Sequence, residues 1–153
     1  IYVAERGVIK DSHIISSGSQ KITANVAQAL SVGVEQAEQI KRNYGGNDEK
    51  QDAAVSDAME WVMNPIMSDT RKIMMDFQQS HKKVISKAVL VGGGALLKGL
   101  PEKFQEKLEV ETQLSDPFAK VDAPAFLNEA LRGTGASFSV AIGLALRKLQ
   151  ELE

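Results

Sequence analysis

The sequence contains no cysteine among its 153 residues. That removes a disulfide framework, thiolate chemistry and a zinc–thiolate cluster together, and permits a cytoplasmic setting. There is no apolar run of transmembrane length, and the residues present carry no signal-peptide pattern. The two histidines, His13 and His81, each lack a companion at metal-ligand spacing and read as structural or surface residues. Charge of one sign is lacking too: 18 basic and 20 acidic residues leave a formal net charge of −2, with the signs interspersed. That pattern argues against a nucleic-acid footprint and supplies no polybasic membrane patch. What is present, 43% hydrophobic and 25% charged residues, suffices for one or two small lobes with ordinary cores. Ile1 falls inside a strand-like run, so the natural chain is expected to begin upstream and this sequence to be a fragment.

Two standard phosphate-binding glycine motifs are missing as well, although the central stretch Ala88 to Phe104 is glycine-rich: AVLVGGGALLKGLPEKF. Its β-branched run meets Gly92, Gly93 and Gly94, then Leu96, Leu97, Leu100 and Phe104 follow at helical spacing. Strand, glycine turn and helix are predicted. Bare glycine backbone admits a ligand, and a helix N-terminus offers free N–H groups and a positive dipole end to an anion. The same pattern also serves as a packing turn between layers. A P-loop requires Gly-Lys-Ser/Thr, but Lys98 and Gly99 stand in reverse order and Leu100 has no hydroxyl. A Rossmann turn requires a third glycine where Leu97 stands. Any nucleotide here is bound in another way.

Upstream, Tyr2 to Glu5 and Val8 to Ile15 are strand-like runs separated by Arg6-Gly7, a hairpin signal. Ser19 or a neighbour is expected to cap a helix carrying Ile22, Val26, Ala29 and Leu30 on one face, which Gly33 breaks. A second helix, Val34 to Tyr44, is expected to turn Val34, Ala37 and Ile40 inward. Glu38 and Lys41 project from one face of it, a spacing that by itself describes a surface ion pair worth about 0.2–0.5 kcal/mol. The polar loop over 45–52, GGNDEKQD, marks a lobe boundary.

Apolar residues from Val55 to Val84 keep helical spacing, but one straight helix of that length spans about 45 Å, too long for a compact body of this size. Asn64 suits a helix cap and Pro65 a first helical position, so two helices, 53–63 and 65–83, are predicted. All five methionines and Trp61 lie there, as core filler or as a partner-binding groove. Beyond the glycines, a strand within 108–114 is expected to join Val89 in one sheet. A turn at Asp116-Pro117-Phe118, a loop from Asp122 to Pro124 and a short helical turn over 126–131 follow. After Gly133 and Gly135 comes a closing helix with Phe138, Ile142, Leu146, Leu149 and Leu152 on its face and Ala141, Gly143 and Ala145 small enough for close approach.

The order of these motifs is more specific than any one of them. Gly18 with Ile22-Thr23, AEQIKRNYG over 37–45, VLVGGGALLKGL over 89–100, SDPFAKV over 115–121 and SFSVAIGLALR over 137–147 together resemble the C-terminal half of the actin-like ATPase (ribonuclease H-like) fold, an α/β class. Within it the chain resembles the PilM family of cytoplasmic type IV pilus assembly proteins over essentially its whole length. FtsA-like cell-division scaffolds are the alternative. The short 45–52 loop favours PilM, while Gly18-Ser19 stands where the family often has Gly-Gly.

The resemblance implies a second lobe in which a sheet with packed helices, 1–36 and 85–153, carries a smaller, mainly helical subdomain, 37–84. It implies that Glu38 and Lys41 face the ribose and adenine of a nucleotide. Gly92, Gly93 and Gly94 would approach the nucleoside and α-phosphate, both places bordering one cleft, with Leu96 and Leu97 packing the following helix. The last helix would support hinge movement through Ala141 and Gly143. No catalytic residue and no metal ligand is expected in this half. ATP and Mg²⁺ belong to the intact protein, a weak ATPase at most, and are expected to bind the fragment weakly or not at all. The implied partner is a PilN-like cytoplasmic tail, held mainly by the missing half, which makes the protein peripheral to the inner membrane. Self-association follows from the FtsA-like alternative. A sugar-kinase relative is disfavoured because no sugar-binding signature is visible.

Overall fold

The computed structural model describes residues 1–46, 48–122 and 124–152; Asn47 of the expected polar loop and Ala123 of the expected loop after Asp122 lie outside them. The chain divides into two contiguous units, Ile1–Lys83 and Val84–Glu153.

The first unit opens with β1 (Tyr2–Glu5) and β2 (Val8–Ser12), an antiparallel pair. Arg6 and Gly7 between them have φ of 50° and 79°, the two positive values that a type I′ hairpin turn demands. The register shifts between Val3 and Ala4, leaving Lys10 as the extra residue of a bulge. β2 ends at Ser12, short of the expected Ile15. There the Asp11 carboxylate accepts the Ser12 N–H at 2.8 Å and pairs with His13 Nε2 at 2.9 Å, while the His13 N–H still bonds the Ile1 carbonyl at 2.8 Å.

Three helices complete this unit: α1 (Ser19–Leu30), α2 (Val34–Arg42) and α3 (Glu49–His81). Ile22 and Val26 of α1, Ala37 of α2 and Val55, Met59 and Val62 of α3 are buried together as its core. α1 packs on both α2 and α3, so its contacts cross the expected boundary between 36 and 37. The cap of α1 is Gly18, the neighbour preceding Ser19, with no side-chain bond; Ser19 is the first helical residue. α1 stops at Ser31 rather than at Gly33. Ser31 adopts the left-handed conformation, φ 53°, and Val32 N–H reaches the Ala27 carbonyl while Ser31 N–H reaches Gln28, a Schellman closure. In α2, Ala37 is buried and Ile40 half-buried, but Val34, the first helical residue, is 67% exposed.

The predicted break at Pro65 is absent: α3 is one helix of 33 residues with Pro65 inside it. A proline there forfeits one hydrogen bond and crowds the carbonyl four residues back, at a cost of about 3 kcal/mol. That carbonyl belongs to Trp61, a residue 68% exposed, while Val62, Met63 and Met67 on either side stay buried. The burial holds both segments on one axis. Asp48 caps the start by accepting the Gln51 N–H at 3.0 Å, and Lys83 at the far end bonds both oxygens of Glu5 at 2.7 Å.

The second unit contains β3 (Lys87–Leu90) and β4 (Glu111–Leu114), which share a sheet as expected and pair in parallel, joined through α4 (Leu100–Leu108). Leu100, Phe104 and Leu108 form the buried stripe of α4. The closing helix α5 (Asn128–Gln150) starts well before the expected position and runs through Gly133 and Gly135. Gly135 lies beside Pro117: a Cβ there would sit 3.4 Å from Pro117 Cδ, an ordinary van der Waals contact. Among the described residues no helix is long and apolar enough to cross a membrane.

Candidate functional site

Ser19 and Thr23 lie four residues apart on α1 and therefore on one face of it. Glu38 and Lys41 share the facing side of α2, and the packing of the two helices brings all four side chains together. The Lys41 ammonium donates to Ser19 Oγ at 2.9 Å, Thr23 Oγ1 at 2.7 Å and Glu38 Oε2 at 2.5 Å. Thr23 Oγ1 in turn donates to Glu38 Oε2 at 2.6 Å, and Arg42 Nε donates to Glu38 Oε1 at 3.1 Å. The Lys41 side chain is only 6% exposed and that of Glu38 35%. Burial pushes the Glu38 carboxyl up, but the hydrogen bonds from Lys41, Thr23 and Arg42 outweigh it and hold the group down at about 2. At neutral pH it is a fixed anion.

Glu38 lines a cleft of about 690 Å³ between α1 and α2, with Gln20 and Thr23 on one side and Gln39 and Arg42 on the other. That volume lies within the range of about 300–1,000 Å³ usual for small-molecule sites. Chemically the cleft offers an ionised acceptor, two amides and an exposed guanidinium, a set suited to a ligand rich in hydroxyl and amino donors.

Gly92, Gly93 and Gly94 lie in the second unit. Gly92 has φ 94° and ψ 165°, a conformation essentially closed to residues with a side chain, and its N–H is held by the Ala136 carbonyl of α5 at 2.8 Å. A Cβ on Gly93 would lie 3.3 Å from Ser137 Oγ. The expected helix does not start at these glycines. A single turn of 3-10 helix, Gly93–Leu96, intervenes, and α4 begins at Leu100 behind Gly99, whose φ is 77°. The glycines turn the chain against α5, and Leu97 beyond them is buried. The Gly93 and Gly94 N–H groups precede the first internal bond of the turn, Ala95 N–H to the Gly92 carbonyl at 3.0 Å.

A family model described as type IV pilus assembly protein PilM matches residues 8–149. The chain belongs to the PilM family. Among solved structures it is similar to a chain of a PilM–PilN type IV pilus biogenesis complex, with 27% identity and a TM-score of 0.68 over 82% of this chain and 35% of that one. It is also similar in fold to the ethanolamine utilization protein EutJ from Carboxydothermus hydrogenoformans, with 22% identity and a TM-score of 0.57 over 74% of this chain and 38% of that one. The chain thus spans little more than a third of either of these two chains. The fold is mixed helix and sheet of the actin-like ATPase type, as the motif order implied.

Of the residues that the PilM resemblance singled out, Glu38 and Lys41 meet in one network within the first unit, and the three glycines form one turn in the second. Sequence reasoning missed Ser19 and Thr23 as members of the first group. Their signal was available: two hydroxyls at i and i+4 next to the Gly18 motif, 5% exposed at Thr23. It also missed the Ser115–Ser139 contact, 2.7 Å between hydroxyls, which with the Phe118–Phe138 ring pair joins the SDPFAKV and SFSVAIGLALR motifs of the PilM pattern.

Proposed function

We propose that this chain is the nucleotide-binding lobe of a PilM-like cytoplasmic protein of type IV pilus assembly, working at the inner membrane through its partners and binding ATP with Mg²⁺ in its intact form. The observation that carries this reading is the Glu38 carboxylate, kept ionised beside a nucleoside-sized cleft by Lys41, Thr23 and Arg42. Its remaining acceptor capacity suits ribose hydroxyls. The bare backbone of Gly92, Gly93 and Gly94 suits close approach of a nucleoside and its α-phosphate. The cation is assigned to the nucleotide's phosphates and to residues outside this chain. Phosphoryl transfer needs the terminal phosphate, cation and attacking water placed together, and hydrolysis is therefore assigned to the intact protein alone.

The solved PilM relative is complexed with PilN, which supports a PilN-like partner here; no residue of this chain is assigned to that contact. Titration calorimetry with ATP on the protein at its natural length tests the reading. Glu38→Ala is expected to weaken ATP binding at least about tenfold, the loss of a charge-assisted hydrogen bond. Unchanged affinity removes Glu38 and its cleft from the site.

A further inference from the structure

An ammonium has three donors and no more. Those of Lys41 all end inside the protein, on Ser19 Oγ, Thr23 Oγ1 and Glu38 Oε2. The single Thr23 proton has two acceptors in reach, Glu38 Oε2 at 2.6 Å and the Ser19 carbonyl at 3.3 Å, and the shorter contact takes it. Glu38 Oε2 is then filled by two donors. Among the described residues Oε1 receives only Arg42 Nε at 3.1 Å, from a side chain 76% exposed, and keeps one acceptor site.

We propose that Lys41, Thr23 and Ser19 are positioning residues which lock one carboxylate oxygen of Glu38 so that the other reads ribose hydroxyls, and that Lys41 itself makes no ligand contact. This rests on the nucleotide reading above and adds a division of labour to it. A bare Glu–Lys pair on one helix leaves the carboxylate free to rotate about its terminal torsions. Two hydroxyls from α1 remove that freedom. One turns Lys41 towards α1, and the other bridges the ammonium and the carboxylate, so the packing of α1 on α2 selects the carboxylate orientation. The ligand class follows: a nucleoside with free ribose hydroxyls, distinguished from one without them.

The test compares dissociation constants for ATP and 2′,3′-dideoxyATP, measured on the full-length protein as wild type, Thr23→Val, Thr23→Ser and Ser19→Ala, with circular dichroism and melting as folding controls. The wild type is expected to prefer ATP by about tenfold or more, the discrimination that one charge-assisted hydrogen bond provides. Thr23→Val is expected to reduce that preference to about twofold by releasing Oε2, and Thr23→Ser, which keeps the hydroxyl, to restore it. A folded Thr23→Val protein that keeps the wild-type preference, or that loses affinity for both nucleotides equally, overturns the positioning role and leaves the nucleotide reading standing. Binding of both nucleotides by the wild type without preference also overturns only this inference. If neither nucleotide binds the wild type, the nucleotide reading falls and this inference with it. Should Thr23→Val not fold, Ser19→Ala carries the test: about a threefold drop in preference is expected from the loss of one Lys41 acceptor, and no change overturns the proposal.

Discussion

Glu38–Lys41 and Lys148–Glu151 are ion pairs of one spacing, three residues apart along a helix or its end. The first is 2.5 Å long with its lysine 6% exposed; the second is 3.5 Å long with side chains 69% and 48% exposed. Spacing placed each pair on a common face. What covers that face separates them, since α1 brings two hydroxyls over Lys41 and leaves its ammonium saturated. Among solvated charges, attraction is offset by hydration and by the entropy of two long side chains. Inside a packed group the same attraction is stronger, and loss of one partner strands the others.

The contrast is most sharply broken by Lys41→Met, which keeps the side-chain length but leaves Glu38, Thr23 and Ser19 without their common donor. Urea unfolding is expected to show about 2–4 kcal/mol less stability, towards the low end of the range for buried pairs because Glu38 keeps some water. Stability equal to wild type would make this pair an ordinary surface one.

An intermediate effect is expected from pH. The Glu38 carboxyl is depressed from 4.5 to about 2 in the folded protein, so its stabilisation is complete above about 4.5 and is lost as pH falls from there towards 2. Glu38→Gln therefore flattens the dependence of stability on pH over that window. Urea midpoints at about pH 5.5 and about pH 3 for both proteins check this, and parallel declines would deny Glu38 its special place. The smallest effect belongs to Lys148→Ala, expected to change stability by no more than about 0.5 kcal/mol in the same urea measurement. A loss above about 1 kcal/mol would erase the contrast from the other side.

Legibility varied along the chain for physical reasons. The β1–β2 turn was plain from Arg6-Gly7, because a two-residue hairpin needs backbone angles that few residue pairs supply. The β3–α4–β4 unit followed from alternation and glycine placement, although the helix start moved from the glycines to Leu100. Pro65, Gly133 and Gly135 misled in a common way. Each is a local helix breaker, and each lies in a continuous helix whose packing outweighs the local penalty, through Val62 and Met67 around Pro65 and through Pro117 against Gly135. Trp61 and Pro65 are both exposed, so the bond that the proline forfeits lies on the outer face of the helix rather than in its core.

Residue order by itself determined which side chains share a helix face, where the hairpin turns, and, through the succession of motifs, membership of the PilM family. These are short-range or pattern properties, set within a few residues or by their sequence. Only the tertiary structure decided that Lys41 is enclosed rather than solvated, that Thr23 and Ser19 complete its coordination, and that α3 and α5 run unbroken. Those outcomes depend on which helix lies against which, a balance of burial and hydrogen-bond satisfaction between segments far apart in the chain, and no local window contains both sides of it.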